Sequence, residues 1–273
     1  MSIKVVTKGK IAETYAKGDQ EKWFENGTWY KLDMYGYESL AEVFVANILQ
    51  YVSIDVCGFL GNRVKYEIGK VPLNNQERVY CSSRNFLKEG ESLITLNRLL
   101  TLHLGYPLEA QLESMSSDKQ RIKFLAEKTK EITGLKKFPE YLTLLFEIDS
   151  LFLNESRQLN NITVIEKNGN YRYSPIFNNG ATVLSNFVSA PSDVEPKSLV
   201  ATAVAKPFNT TFNRQVKSAQ GLYGRQIGNI NITEDKMNKV LDTLLPYYPE
   251  QKRELIRKRV ITTVLARMKA LEN

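Results

Sequence analysis

The stretch Leu153-Asn154-Glu155-Ser156-Arg157-Gln158-Leu159-Asn160-Asn161 sets polar residues at fixed spacing directly behind a long apolar segment. Phe138 to Leu153 has helical periodicity over roughly four turns, and the Asn, Ser and Gln that follow are turn formers that end it. Two short β-like runs come next, Ile162-Thr163-Val164-Ile165 and Tyr171-Arg172-Tyr173, and then a second loop, Pro175-Ile176-Phe177-Asn178-Asn179-Gly180. Ser156 and Asn161 stand five residues apart, and Asn178 follows 17 residues after Asn161. Taken singly, each reads as an ordinary loop residue. Taken in order, the helix, polar loop, hairpin and second loop before a glycine read as the frame of a site.

Length and composition narrow what that site can do. The 273 residues suit one two-lobed unit better than two independent folds, and the mix of 42% hydrophobic with 25% charged residues is that of a globular protein. A single histidine, His103, removes His-rich metal centres and the usual Ser/His/Asp or Cys/His catalysis. Cys57 and Cys81 cannot build a disulfide framework and read as small core residues of a reducing compartment. No run approaches the ~18 apolar residues of a membrane helix, and Met1-Ser2-Ile3-Lys4 lacks a signal core, so a cytoplasmic protein without a membrane partner is expected. The net charge of +7 permits an acidic partner. Much of it lies in Lys252, Arg253, Arg257, Lys258, Arg259, Arg267 and Lys269, which read as a solvated helix face or, less economically, as a binding surface.

Upstream, Ile3-Lys4-Val5-Val6 and Thr28-Trp29-Tyr30, with Gly9, Gly18 and Gly27 between and around them, predict a small antiparallel sheet. Tyr37 to Tyr51 spaces Leu40, Val43, Phe44, Ile48 and Leu49 as an amphipathic helix that carries Glu38 and Glu42 on one face. Val64 to Glu67 and Arg78 to Tyr80 read as further strands. From about residue 92 helices are expected: Leu93 to Leu96, Ile122 to Leu125, Phe138 to Leu153, Phe212 to Tyr223, and Thr233 to Leu271 broken by Pro246 and Pro249. Thr233 before Glu234 and Asp235 is a good helix start. No internal repeat is present.

Phosphoryl transfer needs a lysine for the phosphates, a carboxylate to orient it, Mg²⁺ ligands, and a carboxylate near the acceptor hydroxyl. Strand alternation in Thr28-Trp29-Tyr30-Lys31-Leu32-Asp33 puts Lys31 on the face opposite Tyr30 and Leu32, aimed at a cleft, with Glu42 or Glu38 of the next helix to pair with it. A protein-kinase catalytic loop spaces its base Asp and metal-binding Asn five apart, the spacing of Ser156 and Asn161.

At these residues the chain resembles the HipA-like serine/threonine kinases, including their short single-chain bacterial members. Trp29-Tyr30-Lys31, Tyr37-Glu38-Ser39-Leu40-Ala41-Glu42, Cys81 to Leu87 with Gly90-Glu91, Asp149 to Ile162, Pro175 to Gly180 and Ala205-Lys206-Pro207-Phe208 carry the resemblance, in order, over roughly residues 28 to 225. It implies an α+β, two-lobed protein-kinase-like fold of HipA type: a small β-rich N-lobe (1–85), a hinge near 80–85, and a larger helical C-lobe (86–273). It also implies ATP and Mg²⁺ as cofactors, with Lys31 on the α/β-phosphates, Glu42 or Glu38 as its partner, and Asn161 and Asn178 at the metal. Kinases of this type commonly pair with a DNA-binding antitoxin, so a protein partner or substrate is implied. With no helix-turn-helix or aromatic-basic signature, direct nucleic-acid reading is not expected.

The resemblance also exposes three departures. The family pattern Asn-x-Asp-Arg-His-x-x-Asn meets Ser156 at the base position, beside Arg157, and Gln158 at the histidine; Phe-Asp-x-Gly meets Asn178. A serine hydroxyl stays protonated at neutral pH, and losing general-base help costs ~10²–10⁴-fold. An amide at 178 removes a negative charge that hard cations depend on, so nucleotide and metal binding should be weak. The leading expectation is a pseudokinase acting as a nucleotide- or protein-binding regulatory module. The alternative is an active kinase or nucleotidyl transferase that uses another carboxylate, Glu155 or Asp149.

Overall fold

Asn26-Gly27 turns the first hairpin, both residues at positive φ (49° and 74°), as the two-residue turn matched to strand twist requires. In the computed structural model, which describes residues 20–54, 62–73 and 76–272, that turn joins β1 (Lys22–Glu25) to β2 (Thr28–Leu32). The run Ile3–Val6, Gly9, Gly18 and Cys57 lie outside the described residues. Helix α1 (Glu38–Ile48) follows, then β3 (Val52–Ile54), β4 (Glu67–Leu73) and β5 (Gln76–Arg84). The first sheet is antiparallel throughout, in the order β1-β2-β5-β4.

Its two faces have different work. Tyr30 and Leu32 lie opposite Trp23 and Tyr80, and this face buries Trp23, Leu32 and Val71 in a small cluster with Trp23 stacked on Tyr30 at 4.8 Å. Trp29 and Lys31, opposite Ser83 and Cys81, occupy the other face, as alternation requires. Cys81 is fully buried, the core residue expected.

The remainder is mostly helical: β6 (Ser92–Thr95), α2 (Leu96–Leu104), α3 (Leu108–Glu113), α4 (Asp118–Thr133), α5 (Phe138–Phe152), β7 (Thr163–Lys167), β8 (Asn170–Tyr173), α6 (Pro196–Thr202), α7 (Phe212–Tyr223), β9 (Ile227–Ile230), α8 (Glu234–Leu244) and α9 (Glu250–Glu272). The hydroxyls of Thr95, Ser117, Thr211 and Thr233 cap α2, α4, α7 and α8 by accepting the first free amides. Every residue of α5 except Glu140 is buried, so this helix is packed on all sides and forms the axis of the helical part. It ends at Leu153 in the left-handed region (φ 59°), which turns the chain into the polar loop.

Two stretches differ from their reading in sequence. Leu93–Thr95, expected as helix, is strand β6, pairing Leu93 with Ile165 and Ile94 with Val164; a short apolar run does not reveal its period, and cross-strand burial decides it. Val64–Tyr66, expected as strand, precedes β4, and the Val64 amide instead donates to the Ile176 carbonyl (3.0 Å), tying this segment to the second loop.

The basic C-terminal stretch is only in part the solvated face expected: Lys252, Lys258 and Lys269 are exposed. Arg259 and Arg267 are buried: Arg259 donates to the carbonyls of Leu184, Ala190 and Pro191, and Arg267 to Ser150 and Asn213. Arg257 meets Asp242 and Asn238, and Lys258 meets Glu195. These arginines fasten α9 to the chain that carries the two loops. Among the described residues no helix is long and apolar enough to cross a membrane.

Candidate functional site

The sheet face that carries Lys31 looks onto α1 and the second loop. Lys31 Nζ donates to Glu42 Oε1 at 2.6 Å and to Asn178 Oδ1 at 3.2 Å, and lies 5.6 Å from the Tyr66 ring centre. Burial is the largest influence and works against its charge, but Glu42, joined by Tyr66 and Cys81, holds the ammonium above its ordinary value. Glu42 is fully buried, and its second oxygen accepts the Asn179 amide at 2.7 Å. One carboxylate thus fixes both Lys31 and the second loop.

Glu38 does not compete for this role. Its two oxygens accept the Tyr35 and Gly36 amides (2.8 and 3.1 Å), closing the turn that starts α1. Gly36 has to be glycine, because a Cβ there would lie 1.9 Å from the Ser185 carbonyl oxygen. The Tyr37 hydroxyl donates to Val183 (2.7 Å), and Asp33, which accepts the Ser39 amide and the Tyr248 hydroxyl (both 2.6 Å), ties the start of α1 to the chain before α9. Glu42 is therefore presented by a helix anchored at its N-terminal end.

The first loop is held from inside. Arg157, 2% exposed, meets Asp149 through Nε (2.9 Å to Oδ2) and Nη2 (3.0 Å to Oδ1), and donates to the Asn161 and Phe177 carbonyls and to Asn179 Oδ1. Asn154 donates to Asp149 and accepts the Ser156 amide and hydroxyl (both 3.2 Å). Asn161 Nδ2 donates to the Ser156 carbonyl at 2.6 Å, and among the described residues no donor reaches its Oδ1. Arg157 is thus a buried brace between the two loops. Ser156 is partly exposed beside the cleft, and the Gln158 side chain is exposed.

Neither carboxylate proposed as a replacement base stands free at Ser156. Asp149 is consumed by Arg157 and Asn154. Glu155 is partly buried and its Oε1 accepts the Val204 amide at 3.4 Å; burial raises its proton affinity, with Lys206 opposing.

A Mg²⁺ ion demands near-octahedral oxygen ligation and is ordinarily held through one or two carboxylates together with phosphate oxygens. Asn161 and Asn178 supply only neutral amide oxygens, and that of Asn178 already accepts from Lys31. Among the described residues no three His, Cys, Asp or Glu side chains gather in one place. The residues present do not fit a carboxylate-bound Mg²⁺. A nucleotide fits their chemistry better: Trp29, Phe86, Leu93 and Phe177 form an apolar wall, and Lys22 and Lys31 a cationic end. The space enclosed is about 80 Å³, against roughly 300 Å³ or more for typical ligand clefts. Phe86 and Phe177, 5.4 Å apart between ring centres, must part to admit one.

With this geometry fixed, comparison with solved structures is informative. The crystal structure of CtkA, a Helicobacter pylori proinflammatory kinase, is similar over 93% of this chain and 92% of that one, with a TM-score of 0.58 at 16% sequence identity. The fold is kinase-like. HipA of Shewanella oneidensis, solved in a toxin–antitoxin complex with HipB and operator DNA, is similar over 93% of this chain and 64% of that one, with a TM-score of 0.46 at 11% identity. No protein-family model matches the sequence, and a search of curated proteins gives no match. The kinase-like fold agrees with the architecture expected from the motifs, with an antiparallel sheet first and a helical part after it.

Two residues of this kinase-like cleft escaped sequence reasoning. Lys22 lies directly across the β1–β2 pair from Lys31; an Asn-Gly turn midway between two β-prone runs was the signal, since it fixes that register. Asn179 receives Arg157 and donates its amide to Glu42, linking both ion pairs. Nothing in its spacing distinguishes it from its neighbour Asn178.

Proposed function

We propose that the chain is a kinase-fold regulatory module: a pseudokinase whose lobes, residues 1–85 and 86–273, close on a nucleotide, and which transfers phosphate weakly or not at all while engaging a protein partner. The observation that carries this reading is the pairing of a retained Lys31–Glu42 contact with a base position, Ser156, whose hydroxyl is bonded to Asn154 and has no free carboxylate beside it. Lys31 would meet the phosphates and the Phe86–Phe177 wall the base. Arg157 and Asn179 would act by holding the two loops in register, without touching ligand.

The test combines thermal-shift titration with ATP and a radiolabelled phosphotransfer assay on the full chain. Stabilisation by ATP with transfer at background is the expected result. Robust transfer to itself or to a protein substrate would overturn the pseudokinase reading, and no stabilisation would leave only a scaffold role.

A second reading, an active transferase working through Glu155, has one observation in its favour: a partly buried carboxyl of raised proton affinity next to Ser156, the kind of group used for acid–base work. Its bond to Val204 directs it elsewhere. Mass spectrometry after incubation with ATP separates the outcomes, since an added phosphate, an added nucleotide and an unmodified chain differ in mass.

A further inference from the structure

Two adjacent residues of the second loop close the cleft at both ends. At one end Asn178 Oδ1 accepts from Lys31 at 3.2 Å, the place a phosphate oxygen would take. At the other the Phe177 ring rests against Phe86, 5.4 Å between centres, and both rings line the cleft. The chain itself thus stands where the two halves of a nucleotide would lie, and about 80 Å³ is left open.

The flanks of this pair are held more tightly than Asn178 is. Ile176 donates its amide to the Asn62 carbonyl at 2.7 Å and accepts the Val64 amide at 3.0 Å, and the Asn179 amide meets Glu42 at 2.7 Å. Asn178 has three longer bonds: 3.2 Å from Lys31, 3.4 Å from Asn154 Nδ2 to its carbonyl, and 3.5 Å from its amide to the Tyr66 hydroxyl. The Phe177 carbonyl stays on Arg157 at 3.0 Å, so its ring can turn away from Phe86 without unfastening the loop. A phosphate oxygen carries negative charge where an amide oxygen carries only a dipole, which makes phosphate the stronger partner for the Lys31 ammonium.

We propose that Phe177 and Asn178 form an autoinhibitory plug, and that a nucleotide binds only after both side chains withdraw, its base taking the place beside Phe86 and its phosphates the place on Lys31. The inference rests on the nucleotide reading given above and adds to it how that site is regulated.

Stopped-flow mixing of the full chain with a fluorescent N-methylanthraniloyl ATP, alongside isothermal titration with ATP, tests it. In the unaltered chain the observed rate should level off as nucleotide concentration rises, because withdrawal of the plug limits it. Phe177→Leu combined with Asn178→Gly should remove that ceiling and tighten the Kd for ATP by about tenfold, since apparent affinity is reduced by the fraction of molecules whose site is open. Leucine keeps an apolar side chain, glycine readily adopts the left-handed backbone that Asn178 has at φ 63°, and circular dichroism melts check that the variant folds. Residues that were ordinary parts of the binding wall would weaken binding when removed. An unchanged or larger Kd in the folded double variant would therefore overturn the inference and leave the nucleotide reading standing. A rate that rises in proportion to concentration in the unaltered chain would overturn it too, with no variant needed. Binding by the double variant alone would support a plug that is almost completely shut. No binding by either chain would remove the nucleotide reading and this inference with it.

Discussion

Two buried ion pairs flank the cleft, and they differ in what each can release. Asp149 and Arg157 are 1% and 2% exposed, and every guanidinium nitrogen of Arg157 has a protein acceptor. Lys31 keeps 17% of its side chain accessible against a Glu42 that has none. The first pair is closed, and its charges serve only the loops they join. The second is open on the lysine side, so a ligand can share the ammonium without stranding the carboxylate. Of two similar pairs, burial of both partners marks the structural one and exposure of one partner marks the one that can bind.

The strongest way to break this contrast is to open the closed pair. Arg157→Ala leaves Asp149 buried and unpaired, a change that costs about 3–5 kcal/mol, and urea denaturation should show that loss. A cost below about 1 kcal/mol would mean that Asp149 is solvated and the brace is not structural. Next in size is a gain: Ser156→Asp combined with Asn178→Asp returns both carboxylates to loops whose frame is intact. Phosphotransfer should rise by about 10²-fold or more, the lower end of general-base help. No gain in a radiolabel assay would show that the loops are displaced as well as substituted.

Lys31→Met combined with Glu42→Gln probes the open pair directly. It removes both charges together, leaves no buried carboxylate unpaired, and keeps an oxygen for the Asn179 amide, so stability should fall by only about 1 kcal/mol, while ATP affinity falls about tenfold. If this pair of changes destabilised the protein as much as Arg157→Ala, the two pairs would be equivalent and the contrast would fail.

The two pairs were not equally legible in the sequence. Lys31 and Glu42 could be read because each lies on a regular element whose period fixes its face: alternation in β2 and the three-to-four spacing in α1. Ser156, Asn161 and Asn178 could be read because a loop of fixed length preserves spacing. Arg157 could not be assigned its bracing role from spacing, since its partners come from α5 and from both loops. Yet a signal existed: Asp149 falls between Ile148 and Leu151 in a helix of apolar periodicity, and a buried carboxylate demands a cation or hydrogen-bond donors. The same reasoning, reversed, was available for Arg259 and Arg267, which alternate with Ile256, Val260 and Val264 on the buried side of α9. Strand β6 was lost for a different reason, because its partner β7 lies some 70 residues on and no local pattern reports a distant pairing.

The smallest effect concerns the joint that holds the open pair together. Asp33 follows β2 two residues beyond Lys31 and accepts the Ser39 amide at the start of α1, so it sets how Glu42 is presented to Lys31. Burial pushes its carboxyl up to about 7, opposed by the hydrogen bonds from Ser39 and Tyr248 and assisted by the nearby Glu38. A carboxyl whose folded pKa lies above its unfolded value contributes stability that is fully present below the unfolded value, near 4, and is lost as pH rises through about 7. Glu38, Glu147, Asp149 and Glu155 are shifted in the same direction by burial, so the slope of the whole protein does not isolate Asp33. The difference between the wild type and Asp33→Asn does. The amide keeps an acceptor for Ser39 and can donate to the Tyr248 oxygen, so the variant should fold and lose only the titration. Between pH 4 and 7 its Tm should fall by several degrees less than that of the wild type, since each pKa unit of the shift is worth about 1.4 kcal/mol. Parallel Tm curves would show that Asp33 stays ionised across this range, and that the joint behind the open pair does not titrate.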